Sequence, residues 1–153
     1  MSMDEVILVT TEERYAVCIQ GRVKMADVPQ FIGGAYSEIW MEMKRNGWEC
    51  TGPPFVYYRS WSGGEVDLDC GFPVKRVAVG TGRIRPFTLP AVKAARALHK
   101  GAYMDLVRTY GMVEQWIKSQ GLEPADYMWE YYLNDPTMVA QEELMTEIIW
   151  PIK

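Results

Sequence analysis

The chain has one histidine, three cysteines and no surplus of basic residues, and each shortage closes a class of chemistry. His99 alone cannot complete a zinc ligand set, and Cys18, Cys50 and Cys70 are widely spaced with no Cys-x-x-Cys pair. Neither a metal centre, a cofactor site nor a disulfide framework is expected, and His99 reads as a structural residue at a strand end. The same shortage leaves no Ser/His/Asp set that can be placed, which argues against serine or metal hydrolase chemistry. No run approaches the roughly 20 apolar residues of a membrane span, and Met1 to Glu5 lack the basic start of a secretory signal. A cytoplasmic protein with reduced thiols is the expectation. A net charge of -4 and a pI near 5.1 give no electrostatic footprint for direct nucleic-acid binding. The one basic cluster, Lys75, Arg76, Arg83 and Arg85, reads as a solvated connector.

What is present is apolar and patterned. With 153 residues, 48% of them apolar, the chain is read as one domain over 1–153. Val6 to Thr10 and Arg14 to Gly21 are β-rich. Pro29 opens a helix whose apolar residues fall at Ile32, Tyr36, Ile39 and Met43, and Gly47 stops it. Phe55 to Arg59 and Val66 to Val74 then read as strands joined at Ser62-Gly63-Gly64. Gly80-Thr81-Gly82 has no following helix and reads as turn glycines rather than a phosphate loop.

The second half repeats the first. Leu106, Tyr110, Val113 and Ile117, with a stop at Gly121, reproduce the first helix at an offset of 74. The same offset carries Phe55-Val56-Tyr57-Tyr58 onto Trp129-Glu130-Tyr131-Tyr132, and an offset of 78 carries Glu65 to Val74 onto Glu143 to Ile152. Two β-α-β-β units follow, roughly 5–75 and 89–153, with 76–88 as a connector. The expected fold class is α+β: the tandem units form an antiparallel sheet with two helices packed on one side and a central ligand cavity.

Within this frame one strand is odd. Tyr127 to Leu133 is bulky and aromatic, bounded by Pro124 and by Asn134-Asp135-Pro136, yet it holds a carboxylate at its centre. Alternation puts Met128, Glu130 and Tyr132 on one face. The paired position in the first half is Val56, so an aliphatic group satisfies the fold there, and the acid is an addition. Left without a cationic partner, Glu130 should have a raised pKa. Tyr58 and Tyr132 are equivalent and flank the Val56 and Glu130 positions. Trp40 pairs with Glu114 beside the helix stripe, where it either covers a cleft or flanks the core. Asp69 and Glu147 also pair; they read as edge carboxylates or as a second acidic group near Glu130. Acid plus aromatic walls suit a flat organic cation.

Several segments together resemble the GyrI-like small-molecule-binding domain found in the gyrase inhibitor protein and in AraC-type and MerR-type regulators. They are Leu89-Pro90 with His99 to Tyr103, Trp116 to Gly121, Glu130 to Pro136, Thr146 to Ile152, Gly52 to Tyr58 and Phe72-Pro73-Val74. The resemblance implies a stand-alone effector-binding domain in which Glu130 meets cationic aromatic ligands and Glu147 is a second pocket carboxylate. Ile149 departs from the tyrosine that many members carry there.

Three functions are compatible with this reading. The first is a multidrug-binding module that takes a planar cationic ligand among Glu130, Tyr132, Tyr58, Val56, Trp40, Glu147 and Met128. The second, again by resemblance, is a hydrolase that opens the cyclopropane of DNA-alkylating natural products, with Glu130 as general base and Tyr132 or Tyr58 polarising the departing oxygen. The third is a protective protein that contacts gyrase or a regulator partner.

Overall fold

The computed structural model describes residues 6–153. Met1 to Glu5, including the start of the first expected repeat at residue 5, lie outside the described residues. The strands are β1 (Ile7–Thr10), β2 (Arg14–Lys24), β3 (Phe55–Ser62), β4 (Glu65–Pro73), β5 (Ile84–Leu89), β6 (Lys93–Lys100), β7 (Met128–Tyr132) and β8 (Met145–Pro151). The helices are α1 (Val28–Asn46) and α2 (Leu106–Ser119), each entered through one 3-10 turn. The α+β class and the twofold β-α-β-β order are therefore as the sequence implies.

The residues fall into two compact units, Glu12–Ala91 and the residues up to Thr11 together with Val92–Lys153. In the first unit the strand order is β3-β4-β2-β5 and in the second β1-β6-β8-β7, with antiparallel pairing in each. Each repeat's leading strand is thus exchanged, since β1 pairs with β6 and β5 pairs with β2. This corrects the reading of 76–88 as a plain connector. Pro86 and Pro90 argue for a loop, but β5 is the last strand in its row, where a missing N–H costs no ladder bond, and Pro86 lies opposite Val17.

The helices form where the periodicity places them. Ala35, Ile39 and Met43 of α1 and Thr109, Val113 and Ile117 of α2 are buried at matching positions. The fully buried Ile39, Val113 and Ile117 each contribute about 1.5–3 kcal/mol by leaving water. Gly47, at φ 68°, ends α1 in a left-handed conformation that side chains resist, and its N–H returns to the Met43 carbonyl. Helix α1 has 19 residues and α2 has 14, so the offset changes inside the repeat. Strands β2 and β6 match at the larger offset, because Ala16 faces Pro73 as Ala94 faces Pro151.

Each helix covers one face of its own sheet, and the two units fill that layer differently. A Cβ at Gly21 of β2 would lie 2.4 Å from the Phe31 ring of α1, so the helix supplies the bulk and the strand the space. The counterpart of Gly21 is His99 of β6, which reaches out instead to Thr109 of α2 with Nδ1 and Oγ1 2.7 Å apart. Its Nε2 lies 3.0 Å from the Ala102 carbonyl, which can only accept; Nε2 therefore carries the proton and Nδ1 accepts from the Thr109 hydroxyl. His99 is structural, as expected from its place in the chain.

Candidate functional site

Glu130 sits in the middle of β7, opposite Ile148 of β8, and is 0% exposed. Its face of the sheet also carries Met128 and Tyr132 from β7, Thr146 from β8, and Ala97 and His99 from β6. Because His99 on this face bonds to Thr109, this is the face that α2 covers. Two hydroxyls hold the carboxylate. Tyr132 donates to Oε1 at 2.8 Å, and Tyr110 of α2 donates to Oε2 in a short contact. Tyr103, on the 3-10 turn before α2, packs edge-on against Tyr132 with ring centroids 5.6 Å apart. Both rings are half-buried.

Burial raises the Glu130 pKa, and the two tyrosine hydroxyls, which stabilise the ionised form, oppose that shift without cancelling it. Burial, together with the charges of Asp135 and Glu130, likewise pushes Tyr103 upward.

The other two enclosed acids are treated differently. Asp69 of β4 is paired with Arg59, which projects from the irregularity between Tyr58 and Ser60 of β3. Glu147 of β8 is paired with Arg96 of β6. Among the described residues Glu130 has no ion-pair partner, so it alone of the three is buried without a counter-charge. A carboxylate in that position is costly to ionise, and two neutral donors offset only part of the cost.

The residues singled out from the sequence divide between the two units. Glu130, Tyr132 and Met128 share a face as alternation requires. Glu147 does not join them: it lies opposite Tyr131 and Leu98 on the other face, where Arg96 neutralises it. The expectation of a second pocket carboxylate beside Glu130 is corrected on that geometry; one residue along a strand reverses the side chain's direction. Val56, Tyr58 and Trp40 belong to the other unit. Val56 is fully buried opposite Cys70, and Tyr58 is half-buried opposite Leu68. Trp40 is 43% exposed; its ring packs on Phe72 at 5.6 Å and Lys44 sits 5.3 Å over it. It flanks the core rather than filling it.

Sequence reasoning does not single out Tyr110, Tyr103 or Thr146. Tyr110 reads as helix core, yet a tyrosine on an apolar stripe must place its hydroxyl somewhere, and the buried acid is the available acceptor. Its counterpart Tyr36 in the first unit donates instead to the Phe55 carbonyl at 2.8 Å. The cysteines are free thiols; Cys18 and Cys70 are buried and Cys50 is partly so. Burial pushes the Cys70 thiol up to about 12. Arg83 is clamped on Glu38 by Nη2 at 2.8 Å, which removes it from the basic cluster. Among the described residues no helix is long and apolar enough to cross a membrane, and no group of three metal-ligating side chains occurs.

The chain is similar to the EcmrR C-terminal domain, with a TM-score of 0.84 at 22% identity over 100% of this chain and 99% of that one. It spans 57% of the EcmrR chain seen in a complex with DNA. It is also similar to SAV2435 bound to tetraphenylphosphonium, with a TM-score of 0.67 at 16% identity over 98% and 94% of the two chains. A hydrolase from Listeria innocua has a TM-score of 0.69 at 14% identity over 97% and 92%. These likenesses show the fold. No curated protein sequence matches the chain. The family model for the GyrI-like small molecule binding domain matches residues 4–153, and the chain belongs to that family.

Proposed function

We propose that this protein binds planar, cationic aromatic molecules against Glu130, and that it captures or senses them rather than transforming them. The observation that carries the reading is a fully buried carboxylate held by two tyrosine hydroxyls, with no cationic side chain paired to it among the described residues. An organic cation supplies the missing charge: each carboxylate oxygen keeps a lone pair after accepting one hydroxyl. Tyr132 and Tyr103 then offer ring faces worth roughly 0.5–2 kcal/mol each to a cation that arrives from their side. That SAV2435 has been seen with tetraphenylphosphonium supports a cationic aromatic ligand, although that ion is tetrahedral rather than planar. Met128, on the same face of β7, is a proposed apolar neighbour of the acid.

Titration with tetraphenylphosphonium, followed by tryptophan fluorescence, tests the reading. Wild type should bind, and Glu130→Gln should bind at least tenfold more weakly; equal affinities would remove Glu130 from the site.

One observation also favours the hydrolytic alternative. A glutamate whose pKa burial has raised is closer to the range suited to a general base at neutral pH, with Tyr132 adjacent as a donor. Mass spectrometry of a cyclopropane-bearing alkylator after incubation separates the two: recovery of unchanged, bound compound supports capture, and a ring-opened water adduct supports hydrolysis.

A further inference from the structure

Thr146 of β8 is 0% exposed, and its hydroxyl has no hydrogen-bond partner among the described residues. It lies directly opposite Tyr132 on β7 and His99 on β6, so it points to the face that carries Glu130 and is diagonal to that acid. Neither neighbour serves it. The Tyr132 hydroxyl is committed to Glu130, and both ring nitrogens of His99 are engaged elsewhere. The counterpart of Thr146 in the first repeat is Leu68, which is fully buried on the helix-covered face of its own sheet. Besides Gly21 becoming His99, the second unit therefore departs from the first at two adjacent places on this face, Val56 becoming Glu130 and Leu68 becoming Thr146. Both departures put a polar group where an aliphatic one suffices for folding. An unpaired buried hydroxyl costs stability in either unit, and a ligand that reaches it removes that cost.

We propose that Thr146 is a specificity-determining residue: its oxygen accepts an N–H from the same cation that Glu130 binds, so the site prefers cations bearing N–H donors, such as protonated aminoheterocycles and amidines, over onium ions that have none. The proposal rests on the reading of Glu130 as the cation's partner. Glu130 attracts any cation of the right shape. Thr146 discriminates among them, because a site built around a polar group loses affinity for an analogue that leaves the group unpaired. A phosphonium or N-alkyl pyridinium satisfies the charge and abandons the hydroxyl.

The test compares two flat three-ring cations, protonated 9-aminoacridine and 10-methylacridinium, by fluorescence titration of wild type, Thr146→Val, Thr146→Ser and Glu130→Gln. Valine keeps the branched shape and removes the hydroxyl, while serine keeps the hydroxyl. The ratio of the two dissociation constants should favour 9-aminoacridine in wild type and fall by about tenfold in Thr146→Val, the size expected for one lost hydrogen bond to a charged donor. Thr146→Ser should restore most of the ratio, and 10-methylacridinium should bind wild type and Thr146→Val within about twofold. Thr146→Val should fold with a Tm at or above that of wild type. An unchanged ratio in Thr146→Val, with Glu130→Gln still weakening both probes, overturns the role of Thr146 alone. Failure of both probes to bind wild type, or indifference of both to Glu130→Gln, overturns it together with the reading of Glu130.

Discussion

The two units solve one packing problem with different chemistry. In the first, Tyr36 closes onto the Phe55 carbonyl, Val56 and Leu68 are aliphatic, and the tip of the Phe31 ring reaches Gly21. In the second, Tyr110 closes onto Glu130, Thr146 replaces leucine, and His99 replaces glycine to reach Thr109. His99 ties its strand to α2, but the frame is satisfied by valine and leucine where Glu130 and Thr146 stand, so those two are not there to hold the frame. What they add is a buried acid with hydroxyls around it and, among the described residues, no paired cation. Where acids serve structure, at Asp69 and Glu147, each has its arginine.

Forcing the first unit to resemble the second should have the largest effect. Val56→Glu buries a carboxylate in a place where Tyr36 is already committed to a carbonyl; urea unfolding should show a loss of about 3–5 kcal/mol. Retention of wild-type stability would mean that the units are interchangeable and the asymmetry carries no information. A smaller loss, about 1–3 kcal/mol, is expected for Gly21→Ala, since the new Cβ meets the Phe31 ring and one of them must shift. Calorimetry should then show partial recovery when Phe31→Leu is added.

The paired tyrosines sharpen the comparison. Tyr36→Phe and Tyr110→Phe each remove one hydroxyl donor and should each cost about 1 kcal/mol in unfolding experiments. Only Tyr110→Phe should also weaken tetraphenylphosphonium binding at neutral pH, because Glu130 loses a donor that favours its ionised form and its pKa rises further. Equal binding by the two variants would place the ligand away from Glu130.

The smallest effect concerns stability against pH. Glu130 has a folded-state pKa raised above its unfolded value, so its contribution is complete below the unfolded pKa and is lost as pH rises through the folded one. Glu130→Gln should therefore match wild type near pH 4 and exceed it by about 1 kcal/mol near pH 8, as read from Tm at the two pH values. A variant less stable than wild type at pH 8 would show that the ionised acid is structurally stabilised. Gain of stability with loss of binding is the pattern expected when a residue is kept for a ligand.

Much of this is legible in the chain itself. The helix stripes, the stop at Gly47, the repeat and the position of Glu130 follow from periods of 3.6 and 2, which a single sequence displays directly. The exchange of β1 and β5 does not follow, because pairing between distant strands leaves no local pattern and Pro86 speaks against a strand at 84–89. Glu147 is misplaced by the sequence for a related reason: matching two acids across a repeat gives their common face, and only the register with β7 shows that this face is not that of Glu130. Tyr110 and Thr146 are invisible as site residues because both suit a core. What distinguishes them is where a hydroxyl ends up, and that depends on the tertiary fold.

The most direct test of the central claim, that Glu130 is a buried acid awaiting a cation, is the proton balance of binding. Isothermal titration calorimetry with tetraphenylphosphonium, in buffers of different ionisation enthalpy across pH 5 to 8, reads it. The account predicts that wild type releases protons on binding, most at the acid end and less as pH rises through the raised pKa, whereas Glu130→Gln binds weakly and releases none. Binding by wild type with no proton release anywhere in that range, at an affinity shared by Glu130→Gln, would contradict it.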